Sequence, residues 1–351
     1  MTGLISSLRQ SFPGKATFTG DNVADLTGKV IIVTGANTGV GKELAQILYS
    51  KNAKVYMLAR SEAKTLGAMS EIRAAVPASA GALVYLHLDL ADMPSVKATA
   101  AEFLRRESRL DILFNNAGVG YPPAGSTTAQ GYELQVGVNC LGAFALTHHL
   151  TPVLTATAAA APLLPGAVRV VWASSSAAEA IAPKAFAAVY PNTVPEEETP
   201  ETTTTTATAA AAAAPKSKRN PTYELYFASK LGNYYLATEF AARHRAAGIA
   251  SVPLNPGNLD SDLWRTLPAF MRWLLRKTVL HPPVFGAYTN LFAGLSPDVT
   301  MEKSGVYVAP WGKFWNVARD MVDGTKTEAE GGTGIARRFW EWTEEQVAPY
   351  L

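Results

Sequence analysis

From residue 29 onward, short apolar runs alternate with amphipathic stretches. Residues 29–34 (KVIIVT) form a continuous apolar run, the pattern of a parallel strand buried on both faces. Further runs of this kind occupy residues 54–58, 83–88, 110–114, 168–174 and 249–254. Between them, residues 39–50, 61–75, 92–107, 128–154 and 224–248 carry helical periodicity. Asp92 stands at an N-cap position, and Gly248 closes the last of these helices. Strict β-α alternation predicts an α/β fold: a doubly wound parallel sheet with helices on both faces.

Four segments fall outside that rhythm. Residues 1–27 precede the first strand; Leu4, Ile5, Leu8 and Phe12 share one helical face there, which suits an arm packed on the body or a membrane-surface anchor. Residues 183–222 include PEEETPETTTTTATAAAAAAPKSKRNP, low in complexity and without an apolar period, read as a surface insertion. Residues 259–300 follow the sixth strand, and their first part concentrates Trp264, Leu267, Phe270, Met271, Trp273, Leu274 and Leu275. That density suits either a lid over a lipophilic substrate or a helix pair packed on the body. The tail, 309–351, carries Phe339, Trp340 and Trp342 on an otherwise acidic helix, a pattern for docking. A length of 351 residues is thus read as one decorated domain.

Charge narrows the function. Lys and Arg number 31 against 29 Asp and Glu, so no basic field for nucleic acid is expected. A single cysteine, Cys140, excludes an internal disulfide or a cysteine-based zinc site and fits a reducing, cytoplasmic compartment. The histidines lack metal-ligand spacing, so no metal is expected. There is no run of 18 apolar residues to cross a bilayer, and MTGLISSLRQSF is too short and broken for a signal peptide.

The first strand runs into Thr34-Gly35-Ala36-Asn37-Thr38-Gly39-Val40-Gly41. Glycines between a strand and a helix let backbone approach a pyrophosphate at the helix N-terminus. Tyr226 and Lys230 are four apart on a predicted helix, one turn apart on one face. A cation near a phenol favours phenolate and lowers its pKa.

With these motifs the chain resembles the short-chain dehydrogenase/reductases. TGANTGVG is similar to that family's cofactor loop. Asn115-Asn116-Ala117-Gly118 after the fourth strand is similar to its NNAG motif, and Ser174-Ser175-Ser176 follows the fifth strand as the family's catalytic serine does. Tyr226 and Lys230 match its YxxxK, Asn139 its helix asparagine, and Asn255-Pro256-Gly257 its turn after the sixth strand. The string TGANTGVGKELA most resembles the retinol-dehydrogenase-like branch common in filamentous fungi.

The resemblance implies a compact Rossmann domain and a set of roles. Tyr226 would be general acid or base, Lys230 would hold the nicotinamide ribose and keep the phenol acidic, and Ser175 would bond the carbonyl oxygen, with Ser174 as the alternative. Asn139 would hold a water linking Lys230 to solvent. The cofactor would meet Gly35, Asn37, Thr38, Gly39, Val40, Gly41, Arg60, Asp89, Leu90, Asn116, Ala117, Gly118, Tyr226, Lys230, Pro256, Gly257 and Ser261. NAD-preferring members place an acidic residue after the second strand; here Arg60 and Ser61 stand there, so NADP(H) is expected, with NAD(H) as the alternative. One departure is the spacing: Ser175 and Tyr226 lie 51 residues apart, far more than the family's usual dozen or so, because the low-complexity segment intervenes.

The implied activity is interconversion of an alcohol and a carbonyl on a small lipophilic molecule, retinoid-, steroid- or secondary-metabolite-like. The alternatives are a redox-neutral cyclase or dehydratase and a non-catalytic nucleotide-binding protein. Arg265, Arg272, Arg276 and Lys277 permit peripheral contact with an acidic membrane surface, and a homo-oligomer is compatible with the reading.

Overall fold

The structure is a computed structural model that describes residues 3–160, 164–181, 186, 221–261 and 269–351. Eight strands form one sheet in the order β3-β2-β1-β4-β5-β6-β7-β8. They are β1 (Val30–Thr34), β2 (Lys54–Ala59), β3 (Ala82–His87), β4 (Ile112–Asn115), β5 (Val168–Ala173), β6 (Ile249–Leu254), β7 (Val308–Ala309) and β8 (Lys313–Phe314). All neighbours pair in parallel except β7 and β8. The sequence predicts six strands. The last two are two-residue edge strands, too short to show a period, and a tail drawn from residue 309 cuts through β7.

Burial on both faces explains the continuous apolar runs. In β1, Ile31 and Val33 face a core shared with α2 (Gly39–Ser50) and α3 (Glu62–Ala75). On that side lies also α9 (Pro283–Leu295), the next helix but one after β6. Val30 and Ile32 face the opposite core. It is built from α4 (Met93–Arg106), α6 (Ala143–Ala159), α7 (Pro221–Arg243) and α11 (Ile335–Val347). Asp111, just before β4, pins the base of the sheet. Burial pushes its carboxyl up, but hydrogen bonds from Arg109, the Val30 N–H and Lys29 outweigh this and hold it below the usual range.

The long helix predicted from 128 begins later. Thr127 and Glu133 pair in an antiparallel bridge, and Gly131 sits at φ +85° in the tight loop between them. Helix starts at α5 (Leu134–Val136), passes through a π-helical turn at Gly137–Gly142 and continues as α6 to Ala159, with Pro152 inside it. The predicted helix over 224–248 is α7, which opens on Pro221 and closes at Arg243.

The attachments also depart from expectation. The arm forms α1 (Gly3–Gln10), where Ser6 and Gln10 are buried, while Leu8 and Phe12 are each 62% exposed; the side chains of Leu4 and Ile5 lie outside the described ones. Phe186, inside the stretch read as low complexity, is fully buried and packs edge-on against Tyr235 and Phe339. Of the rest of the insertion, residues 183–185 and 187–220 lie outside the described residues, and 221–222 begin α7. In α8 (Ala269–Thr278), Phe270, Trp273 and Leu274 are exposed, so for these three the packed-pair reading does not hold. Trp264 and Leu267 lie outside the described residues. Phe339, Trp340 and Trp342 of α11 are buried, Trp340 against Phe144 and Phe339 against Phe186. The remaining short helix, α10 (Arg319–Thr325), precedes α11.

Candidate active site

Strand order reverses between β1 and β4, and a cavity of about 620 Å³ opens there at the carboxyl ends of the strands. One wall is the loop from β1 to α2. Gly35 and Gly39 have positive φ, +67° and +52°, open to glycine without strain. Gly41 is fixed by contact: a Cβ there would lie 2.4 Å from the Gly35 carbonyl oxygen and 2.8 Å from Asn116 Nδ2. No side chain caps the start of α2, so its first N–H groups are left for a ligand. This cradle fits the pyrophosphate of a dinucleotide.

Asn116 holds the facing wall by donating Nδ2 to the Thr34 carbonyl at 2.9 Å, while the Thr34 hydroxyl accepts from the Ala117 N–H. Asp89 caps its own turn, accepting from the Ala91 N–H at 2.9 Å, and lines the cavity beside Leu90. At the end of β2 stand Arg60 and Ser61, and Lys64 joins them on the cavity wall. Lys64 was not singled out from the sequence, though three residues into a helix from Ser61 its side returns to the same end. Asn37, Thr38, Val40, Gly118, Pro256, Gly257 and Ser261 line the same cavity.

The catalytic candidates meet at the far end. Tyr226 is 6% exposed, and its hydroxyl hydrogen-bonds Ser175. Ser175 also accepts from the Ala177 N–H, capping the 3-10 turn Ser176–Ala180. Ser174 is engaged elsewhere, donating to the Lys230 carbonyl at 2.7 Å. Lys230 Nζ donates to the Ala173 carbonyl at 2.9 Å and sits 5.7 Å from the Tyr226 ring centre. The expected acidification of the phenol is not what the geometry gives. Burial dominates, pushing Tyr226 up to about 12 despite the Ser175 bond and Lys230 down to about 8. A phenol that keeps its proton is suited to donate it. Asn139 spends its side chain on protein partners: Oδ1 accepts from the Val119 N–H, and Nδ2 donates to the Val119 carbonyl and to Ser229 Oγ. It thereby holds the loop after the NNAG motif against α7. Cys140, beside it, is buried, and burial raises its thiol.

Tyr121 is a site residue the sequence did not disclose. It has φ +55°, and its ring lies 4.7 Å from Tyr226 and 4.5 Å from Tyr223. Its N–H donates to Gln135 Oε1, and Gln135 in turn donates to the Thr222 carbonyl at the start of α7. No local signal marks a tyrosine for the left-handed region, so only the fold reveals this aromatic wall.

A nucleotide cradle at the switch point of a parallel sheet, facing a half-buried serine beside a buried Tyr–Lys pair, defines a dinucleotide-binding oxidoreductase. The sequence model described as short chain dehydrogenase matches residues 29–190. A short-chain dehydrogenase/reductase from Phomopsis amygdali is 46% identical, with 100% of each chain covered. An uncharacterised protein from Mycobacterium paratuberculosis superposes with a TM-score of 0.61 at 24% identity, covering 94% of this chain and 97% of its own. An NADPH-bound short chain oxidoreductase from Pseudomonas aeruginosa, described as containing an atypical catalytic center, gives 0.57 at 20% identity, covering 81% and 95%. The chain belongs to the short-chain dehydrogenase/reductase family and is an oxidoreductase of that family. Among the described residues, no helix is long and apolar enough to cross a membrane.

Proposed function

We propose that this protein is an NADP(H)-dependent oxidoreductase that interconverts an alcohol and a carbonyl on a small lipophilic substrate. The observation that carries the reading is the Ser175–Tyr226–Lys230 cluster at one end of a dinucleotide-sized cavity. A bound NADPH supplies a hydride there. Gly35, Gly39 and Gly41 admit the pyrophosphate. Asp89 and Leu90 flank the adenine, Asn116, Ala117 and Gly118 form the opposite wall, and Pro256, Gly257 and Ser261 close the nicotinamide end. Ser175 donates to the substrate oxygen as charge develops, and Tyr226 passes it the proton. Asn139 keeps the floor beneath Lys230 in place, and through it a water can reach the lysine.

Preference for NADP(H) rests on charge. Arg60 is exposed at the cavity rim, and neither an acidic side chain of β2 nor one of its following turn competes with it. Arg60, Ser61 and Lys64 supply a guanidinium, a hydroxyl and an ammonium for a 2′-phosphate. Arg60→Ala is expected to weaken NADPH binding about tenfold, the worth of one charge-assisted hydrogen bond, and to leave NADH binding unchanged. Fluorescence titration with both cofactors reads this; equal losses for both would remove the phosphate assignment.

The lipophilic substrate is supported by Tyr121, Leu134, Val138, Ala180 and Phe227 on the cavity wall, and by the exposed Phe270, Trp273 and Leu274 of α8. Those three, with Arg276 and Lys277 on the same helix, also support peripheral contact with an acidic membrane surface. The lone cysteine supports a cytoplasmic location.

A further inference from the structure

We infer that Gln10 of the N-terminal arm is a positioning residue of the active site, bracing the catalytic-serine turn against the Asn255–Gly257 turn. The inference rests on the oxidoreductase reading only for its consequence on the cofactor, since the brace itself is a matter of contacts.

Gln10 is 2% exposed, and both ends of its amide are used. Nε2 donates to Glu179 Oε1 at 3.1 Å, and Oε1 accepts from Asn255 Nδ2 at 3.0 Å. Glu179 lies on the 3-10 turn that Ser175 caps, so its position and that of the Ser175 hydroxyl are fixed together. Asn255 closes the turn after β6, accepting from the Gly257 N–H at 3.0 Å, and lines the cavity with Pro256 and Gly257. One side chain therefore spans two cavity walls that come from different strands. Gln10 and both its partners, Glu179 and Asn255, are buried, so each lost bond leaves a group that water cannot easily serve.

The arm is itself held in place. Trp315 Nε1 donates to Ser6 Oγ at 2.8 Å, Asn258 Nδ2 donates to Ser11 Oγ at 3.1 Å, and Lys313 donates to the Pro13 carbonyl. Ser6 also hydrogen-bonds Glu179. Ser6 and Gln10 of α1 thus face the body, while Leu8 and, beyond the helix, Phe12 are exposed.

Two substitutions test the brace. Gln10→Leu keeps the bulk and removes both hydrogen bonds. Gln10→Glu keeps the shape, but as a carboxylate it cannot donate to Glu179; protonated, it can donate there and still accept from Asn255. The titratable groups around this pair are the N-terminal amine, Tyr234 of α7, Tyr307 before β7 and Asp320 of α10. Backbone hydrogen exchange of the free protein is the first readout. Gln10→Leu is expected to speed exchange at least tenfold in residues 176–180 and 257–258 and to leave β1 to β4 unchanged. The second readout is NADPH affinity by fluorescence. Gln10→Leu is expected to weaken it at least threefold at every pH, and Gln10→Glu to approach wild type at pH 6 and fall away at pH 8.5. Exchange that is unchanged at those two turns, or raised evenly through the fold, overturns the brace. If exchange changes as expected while the wild-type protein binds no NADPH, the brace stands and the cofactor reading fails.

Discussion

Replacing Tyr226 with phenylalanine is expected to lower turnover about 10³-fold while leaving NADPH affinity within twofold of wild type. The hydroxyl is the only part removed, and the ring keeps its contact with Tyr121. No backbone of the cofactor cradle depends on that hydroxyl; its partner is Ser175. Burial pushes the phenol up to about 12, so it holds a proton across the neutral range. Steady-state kinetics beside a cofactor titration separate chemistry from binding. Full activity in Tyr226→Phe would exclude the tyrosine as proton donor, and a parallel loss of cofactor affinity would mean the hydroxyl holds the site together instead.

The second large effect lies far from the chemistry. Arg169 of β5 is 7% exposed and hydrogen-bonds four backbone carbonyls: Gly166 through Nε, Ala293 through Nη1, and Ser296 and Val299 through Nη2. Burial pushes its guanidinium down to about 10, yet it stays charged in the neutral range. This one side chain ties the start of β5 to the end of α9 and the turn beyond it. Arg169→Leu takes a donor from four carbonyls in a place water reaches poorly; of these, Ser296 keeps the Val299 N–H. It is expected to cost about 4 kcal/mol, about 5 °C in melting temperature for a chain of this length. Arg169→Lys, with one compact ammonium, is expected to recover less than half of that loss. A thermal melt decides it; a change under about 1 kcal/mol would show that the carbonyls find other partners.

Much of the core was legible from periodicity. Runs such as KVIIVT are apolar at every position because Ile31 and Val33 face one helix layer and Val30 and Ile32 the other. The nucleotide loop was legible because its glycines answer to two physical demands, positive φ at Gly35 and Gly39 and close approach at Gly41. The start of α5 was misplaced because Thr128 and Tyr132 are compatible with a helix, and only the hairpin pairing of Thr127 with Glu133 excludes it. Phe186 carries no period and gains its burial from Tyr235 and Phe339, one of them over 150 residues away in sequence. Ser174 and Ser175 look alike in sequence. Their roles separate only once Ser174 is seen to donate to Lys230 and Ser175 to meet Tyr226. In the arm, Leu4, Ile5, Leu8 and Phe12 suggested the docking face; Leu8 and Phe12 are exposed, and Gln10, a polar residue with no period to mark it, makes contacts to the body.

The central claim is that this cavity transfers a hydride to or from a carbinol carbon. The most direct measurement incubates the protein with NADPH bearing deuterium at the transferring position and a panel of lipophilic ketones and aldehydes, then locates the label by mass spectrometry. The account predicts one deuterium at the carbinol carbon of the product and oxidation of one NADPH per turnover, both lost in Tyr226→Phe. Product formed without label and without consumption of NADPH would contradict it and leave a redox-neutral enzyme in its place.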